Sequence, residues 1–237
     1  MTEMRIAGVL GGMGPDATVD FMARVLALTD SGDDQHHVRM LVDQNPGVPD
    51  RQDALLRNGQ NPGPVLADMA QNLESIGADF IVMPCNTAHA FERDIVAAID
   101  IPFISIVDVT LAALPDNTCA GLLATRGCLD AGVYQPAFER RGIAYRLPSS
   151  EQADELNDLV SRIKAGDRGD DVRTDLLRIC ADLVGAGATV LVAACTELPL
   201  VLVPADIEVP LFSSTDELAK KTINLARGNE PLPPSAV

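Results

Sequence analysis

Short, unbroken apolar runs alternate with stretches of helical period along most of the chain. Ile6 to Leu10, Val38 to Val42, Phe80 to Met83 and Pro102 to Ile106 read as four strands in the first half. Cys119 to Ala124, Ile143 to Leu147, Val190 to Ala194 and Pro210 to Ser213 read as four more in the second. Runs that are apolar throughout, rather than at every other position, belong to strands buried on both faces, as in parallel sheets. Between them a 3.6-residue period predicts helices over Ala17 to Leu28, Pro64 to Ile76, Cys85 to about Ile99, Val107 to Leu114, Leu129 to Arg141, Gln152 to Ala165, Val172 to Val184 and Thr215 to Arg227. Pro15 suits a first helical turn, and Gly77 suits a helix end. Asp43-Gln-Asn-Pro-Gly-Val-Pro-Asp-Arg51 reads as a proline-rich loop, and Gly228 to Val237 as a frayed tail. Strands and helices in alternation imply an α/β fold with helices on both faces of parallel sheets.

The pattern repeats once. Gly77-Ala-Asp-Phe-Ile-Val-Met-Pro-Cys85 resembles Gly187-Ala-Thr-Val-Leu-Val-Ala-Ala-Cys195. The strand at Ile6 to Leu10, with Gly8, resembles that at Cys119 to Ala124, with Gly121; Ile101-Pro-Phe-Ile-Ser105 resembles Val209-Pro-Leu-Phe-Ser213. Each pair is about 110 residues apart and the order is kept, the mark of one duplication rather than a solenoid. Two similar parallel-sheet α/β domains related by a pseudo-twofold axis follow, with the active site in the cleft between them. Residues 1–105 and 212–237 would form the first and residues 106–211 the second. The closing helix should then pack back on the first half.

Composition narrows the function. The 237 residues fill one large or two small domains. No apolar run approaches the roughly 20 residues of a membrane helix, and Met1-Thr-Glu-Met-Arg5 lacks a signal-peptide pattern. A cytoplasmic location without membrane contact is expected. A net charge of −16 argues against nucleic acid, whose phosphates need a basic face. It also fails to steer anions toward the protein, so an anionic ligand must be held by a few local cations. Lysine occurs only at 164, 220 and 221; Lys164 ends a helical stretch and is the candidate.

Cys85 and Cys195 each end a buried strand, where ligands of parallel α/β sheets bind. Each also opens a helical pattern, whose N–H groups and dipole would favour a thiolate. Two such thiols facing one cleft could take a proton from one side of a carbon and return it on the other. Cys119, Cys128 and Cys180 lie within strand and helix patterns and read as packing residues. His89, one turn after Cys85, could form a Cys–His pair. Ligand spacings for zinc are missing, and no metal or other cofactor is called for. The alternative is a nucleotide-binding module with structural thiols, since Gly12-Met-Gly-Pro-Asp-Ala17 matches the dinucleotide fingerprint and Asp43 ends the second strand.

Gly11-Gly-Met-Gly-Pro15, Asn45-Pro-Gly-Val-Pro-Asp-Arg51, Met83-Pro-Cys-Asn-Thr-Ala-His-Ala-Phe91, Leu122-Leu-Ala-Thr125, Gly132-Val-Tyr134, Lys164-Ala-Gly166 and Cys195-Thr-Glu197 together resemble the cofactor-independent aspartate/glutamate racemase family, most closely its aspartate racemase branch. The resemblance implies that Cys85 and Cys195 transfer protons, one on each substrate face. It implies that Arg51 and Lys164 hold carboxylates of aspartate or glutamate. Met13, Asp50, Asn86, Thr87, Thr125 and Thr196 would complete the binding positions, and the enzyme would be a homodimer. Members of the wider superfamily also isomerise maleate, decarboxylate arylmalonates or racemise hydantoins. Arg126, where relatives often carry a small residue, would either enlarge the anion site or face solvent.

Overall fold

A computed structural model describes residues 4–235. Its eight strands form two parallel four-stranded sheets. The first contains β1 (Ala7–Gly11), β2 (Met40–Gln44), β3 (Phe80–Val82) and β4 (Phe103–Ile104), ordered β2-β1-β3-β4. The second contains β5 (Cys119–Leu123), β6 (Ala144–Arg146), β7 (Val190–Ala193) and β8 (Leu211–Ser213), ordered β6-β5-β7-β8. The sequence repeat is therefore a repeat of topology. All eight sequence-predicted strands are present, and the unbroken apolar runs of β1, β3 and β7 are buried along their whole length.

Ten helices surround the sheets: α1 (Pro15–Leu28), α2 (Arg51–Leu56), α3 (Gly63–Ser75), α4 (Glu92–Val96), α5 (Ile106–Ala112), α6 (Arg126–Asp130), α7 (Gln135–Arg141), α8 (Ser150–Lys164), α9 (Asp170–Gly185) and α10 (Ser214–Ala226). None of them is long and apolar enough to cross a membrane. The last helix after each sheet packs on the opposite half: α5 against α7, and α10 against both α1 and α5. One apolar core consequently runs through the middle of the molecule, joining Val9, Phe21 and Phe80 to Leu122, Tyr134, Phe138 and Leu218. Two outer cores lie under α3 in the first half and under α8 and α9 in the second.

The duplication survives at atomic detail. A Cβ on Gly8 would lie 2.6 Å from Ile81 and 3.0 Å from Ala78; on Gly121 it would lie 2.6 Å from Leu191 and 3.0 Å from Ala188. In both halves a side chain at this position would crowd a terminal methyl of the neighbouring strand and the alanine that precedes that strand.

Four local expectations are corrected. The loop from Asp43 ends sooner than its prolines suggest, because the Asp50 carboxylate accepts the Asp53 N–H (2.8 Å) and caps α2. The single helix over Leu129 to Arg141 is two, α6 and α7, parted where Gly132 takes a left-handed φ of 65°. The tail is not frayed through Ser235. Arg5 donates to the carbonyls of Leu225 and Glu230 (2.9 Å each), Lys221 pairs with Glu230, and Leu232 packs on the central core. Ala236 and Val237 lie outside the described residues.

The fourth correction concerns the cysteines. Cys85 leads into a 3-10 turn, Thr87–Phe91, before α4, and Cys195 into a shorter one, Leu198–Leu200. Pro199 and Pro204 lack the N–H groups that a helix after Cys195 would use. After Cys85 the His89 N–H bonds the Asn86 carbonyl (3.0 Å), while the His89 ring takes the Cys85 carbonyl (Nδ1 to O, 2.8 Å). Its Nε2 accepts the Ile106 N–H (3.1 Å) at the start of α5. Only a neutral imidazole with its proton on Nδ1 makes both bonds. Burial drives the His89 pKa down to about 4, against the pull of the Cys85 carbonyl. His89 thus fixes the Cys85 loop to α5 and is not a base for the thiol.

Two predictions follow from this packing. Gly8→Ala and Gly121→Ala should each destabilise the fold by about 1–3 kcal/mol, to a similar extent, in denaturant titrations; a loss at only one site would contradict the matched packing. The depressed pKa of His89 makes its contribution to stability complete above about pH 6.5 and lost as pH falls toward 4. The full loss is about 3 kcal/mol. Unfolding free energies of wild type and His89→Gln, compared between pH 7 and 4, should therefore converge as pH falls; a constant gap would remove this role.

Candidate active site

β3 and β7 are the strands next to the centre of each sheet, and their carboxyl ends carry Cys85 and Cys195 into one pocket. All ten residues singled out in the sequence line it: Met13, Asp50, Arg51, Cys85, Asn86, Thr87, Thr125, Lys164, Cys195 and Thr196. Its volume, about 170 Å³, is below the roughly 300 Å³ at which drug-sized sites begin. The pocket suits a small metabolite.

Arg51 is the first residue of α2 and is only 8 % exposed. Its guanidinium donates to the carbonyls of Val48 and Pro49 (3.1 Å each) and of Met13 (3.2 Å). Among the described residues no carboxylate pairs with it. The other arginines near the mouth are neutralised: Arg57 pairs with Asp53, and Arg168 with Asp16. Arg126 donates to Asp130, Asp154 and Ser150 on the outer surface and does not line the pocket. It faces solvent.

Lys164 ends α8, and its Nζ lies 3.7 Å from Glu197 Oε1. Burial disfavours its charge, but the field of Glu197, then of Cys195 and Cys85, prevails and raises its pKa. Asn157, Val160 and Ser161 share the pocket with Lys164. Their spacing puts them on one helix face, a signal present in the sequence.

The polar groups beside the cysteines are tied across the cleft. Tyr134 donates to Asn86 Oδ1 (2.6 Å), Asn86 Nδ2 donates to Ser214 Oγ (2.9 Å), and Ser214 donates to the Ala193 carbonyl on β7 (2.9 Å). Asn86 therefore braces the Cys85 loop and keeps one N–H for a ligand. Thr87 and Thr125 share a hydrogen bond of 2.9 Å. Gln52 donates to Thr125 Oγ1 (2.9 Å) and accepts the Gly127 N–H (2.7 Å). Nothing in the sequence marked Gln52, because its partners belong to the other half.

Glu197 is the second residue that sequence reasoning left out of the site. It is buried, and its Oε2 accepts from Cys195 Sγ (3.0 Å) and Thr196 Oγ1 (3.3 Å). Burial, and next the Glu197 charge, push the Cys195 thiol well above its ordinary pKa; the nearby Lys164 ammonium only partly opposes them. The lowered thiol pKa expected from a helix N-terminus thus does not hold for Cys195. Cys128 and Cys180 are buried, with pKa values raised by burial, Cys180 to about 12. They pack in the cores, as their patterns suggest.

The glycine-rich loop after β1 is not an open phosphate cradle. The Gly12 N–H is taken by Thr18 Oγ1 (2.9 Å), the Met13 carbonyl faces Arg51, and a Cβ on Gly12 would lie 2.4 Å from the Asn45 backbone. Its glycines serve close approach between loops.

Known proteins carry the same architecture. A family model for Asp/Glu/Hydantoin racemase matches residues 10–222. The chain is 28% identical over 222 residues to the broad specificity amino-acid racemase RacX of Bacillus subtilis, covering 92% of this chain and 96% of that one. The structure of Picrophilus torridus aspartate racemase superposes with a TM-score of 0.81 at 27% identity, over 97% of this chain and 96% of that one. A glutamate racemase of Francisella tularensis, solved in complex with D-glutamate, shares the fold with a TM-score of 0.64 at 15% identity, over 97% and 83% of the two chains. The chain belongs to the Asp/Glu/Hydantoin racemase family.

Proposed function

We propose that the protein interconverts L- and D-aspartate, or glutamate, by proton transfer at Cα between Cys85 and Cys195. The observation that carries this reading is the pocket itself. Two cysteines from duplicated strand ends line a space of about 170 Å³ with a buried, unpaired guanidinium. In each direction one thiolate removes the α-proton and the other thiol supplies a proton to the opposite face. The charge that develops on the α-carboxylate is stabilised by donors fixed beforehand, which cost no reorganisation when the proton moves. The free N–H of Asn86 and the hydroxyl of Thr87, when Thr125 donates to it, are the candidates. Arg51 and Lys164 take the side-chain carboxylate; the planar fork of arginine suits two oxygens at once.

The charges that line the pocket favour an acidic substrate. Arg51, Lys164 and Glu197 leave a surplus of one positive charge, while Asp50 is exposed and engaged as a helix cap. Aspartate and glutamate each carry one net negative charge at neutral pH. A wider substrate range is the second reading, favoured by the similarity to a broad specificity racemase and by the uncharged Asn157, Val160 and Ser161 in the lining.

Solvent deuterium incorporation at Cα, followed across a panel of L- and D-amino acids, tests the reaction and its range together. Exchange with aspartate or glutamate, lost by about 10²-fold or more in Cys85→Ser and in Cys195→Ser, is expected. Near-normal turnover in either single variant would exclude the two-cysteine mechanism. Arg51→Ala should raise KM for the dicarboxylic substrates at least about tenfold, the loss of one buried charge-assisted contact. Unchanged kinetics together with a lowered melting temperature would make Arg51 a structural residue only.

A further inference from the structure

We infer that Glu197 is a positioning residue for the proton transfer: its carboxylate, set between Lys164 and Thr196, holds the Cys195 thiol proton and makes the two faces of the site unequal. The inference rests on the racemase reading and deepens it. The duplication supplies the observation. The second position after each cysteine is Thr87 in one half and Glu197 in the other. Thr87 turns to Thr125 and leaves Cys85 without a carboxylate partner among the described residues. Glu197 turns back onto its own cysteine, with Sγ 3.0 Å from Oε2.

The carboxylate is buried and only partly compensated. Oε1 makes no hydrogen bond, and its cation, Lys164 Nζ, stays at 3.7 Å. Its charge therefore falls on the adjacent sulfur, where it opposes a second negative charge. The groups facing Cys195 are Glu197 on its own loop, Lys164 on α8 and Tyr134 before α7, with Cys85 and Arg51 across the pocket. Burial and then the Glu197 carboxylate disfavour the thiolate, while Lys164 and the Glu197 backbone N–H favour it. At rest the Cys195 thiol keeps its proton, hydrogen-bonded to Glu197 Oε2, whereas the Cys85 thiol has no such acceptor among the described residues. When Cys195 acts as acid, the proton leaves Sγ for Cα and the S–H bond breaks. The thiolate so formed sits beside Glu197 and is a strong base for the return step.

The test is the pH dependence of alkylation by iodoacetamide on the full-length protein, with the label at each cysteine quantified by peptide mass analysis. In wild type the Cys195 midpoint should lie above the value of about 8.5 for free cysteine. In Glu197→Gln, nearly identical in shape, it should fall by about one pH unit or more, with the Cys85 midpoint unmoved. The kcat for racemisation should drop more than KM rises, the pH profile should move, and Glu197→Asp should restore most of both. An unchanged Cys195 midpoint in Glu197→Gln, or an equal shift at Cys85, would overturn the inference. Should Glu197→Gln fail to fold, Glu197→Ala is titrated in its place and its Cys195 midpoint should fall in the same way, an unchanged one overturning the inference; a wild-type Cys195 midpoint at or below that of free cysteine also excludes the hold. Alkylation does not depend on turnover, so a wild type that exchanges no amino acid would remove the racemase reading without deciding the role of Glu197.

Discussion

Arg51 keeps a permanent charge out of water with only carbonyl oxygens for company. Burying an ion costs several kcal/mol unless its surroundings replace the lost hydration. Three carbonyl dipoles replace part of it. The position adds a second penalty, since Arg51 is the first residue of α2, where the helix end is already positive. Asp50 and Asp53 in that first turn relieve the helix, but Asp53 is also committed to Arg57. The remaining imbalance points into the pocket. An anion there would gain from the guanidinium. The loops after β1 and β2 exist largely to maintain this arrangement: Gly12 lets them approach, and Met13 offers its carbonyl.

The duplicated frame and its unequal centre follow different rules. Far from the pocket the halves are interchangeable, down to the crowding around Gly8 and Gly121. At the cysteines they diverge. The Cys85 loop is held by the other side of the molecule, through Tyr134 and Ser214 on Asn86. The Cys195 loop is held by its own Glu197. A shared frame supplies two strand ends that meet on one pocket; its two loops are then free to specialise, because each is braced by different partners. The exchange of α5 and α10 between halves makes this possible, since it brings Ser214, at the start of α10, within reach of Asn86.

How far the sequence disclosed this depends on the distance over which each feature is encoded. Strands were legible because buried parallel strands write their burial locally, as in Phe80–Val82 and Val190–Ala193. The two cysteines and Arg51 were legible because their types and places repeat or resemble a family pattern. Helix α2 was hidden by Pro46 and Pro49, and its start depends on one side-chain cap at Asp50. The helix dipoles expected at the thiols were misread, because the His89 ring takes a carbonyl that a helix would have used, and because Pro199 and Pro204 interrupt the other segment. Gln52 and Glu197 were invisible for a different reason. The importance of Gln52 lies in contacts with Thr125 and Gly127 of the other half, and that of Glu197 in how its loop turns the carboxylate back onto a buried thiol and toward a lysine on α8 of its own half.

At long range the field of a chain of net charge −16 opposes any anion. Within a Debye length, about 8 Å at physiological salt, local charges decide. The surface arginines nearest the cleft add little attraction, since Arg57, Arg126 and Arg168 are each matched by aspartates. Matched pairs at the rim contribute about 0–1 kcal/mol and are screened by salt. Arg51 is neither matched nor exposed. Lys164 is matched at 3.7 Å by a carboxylate that also serves the thiol. The uncompensated positive charge therefore lies in the pocket floor rather than at its mouth. Any ligand that neutralises Lys164 also alters how much of Glu197's charge bears on Cys195, so occupancy of the pocket and the state of that thiol are coupled through one carboxylate.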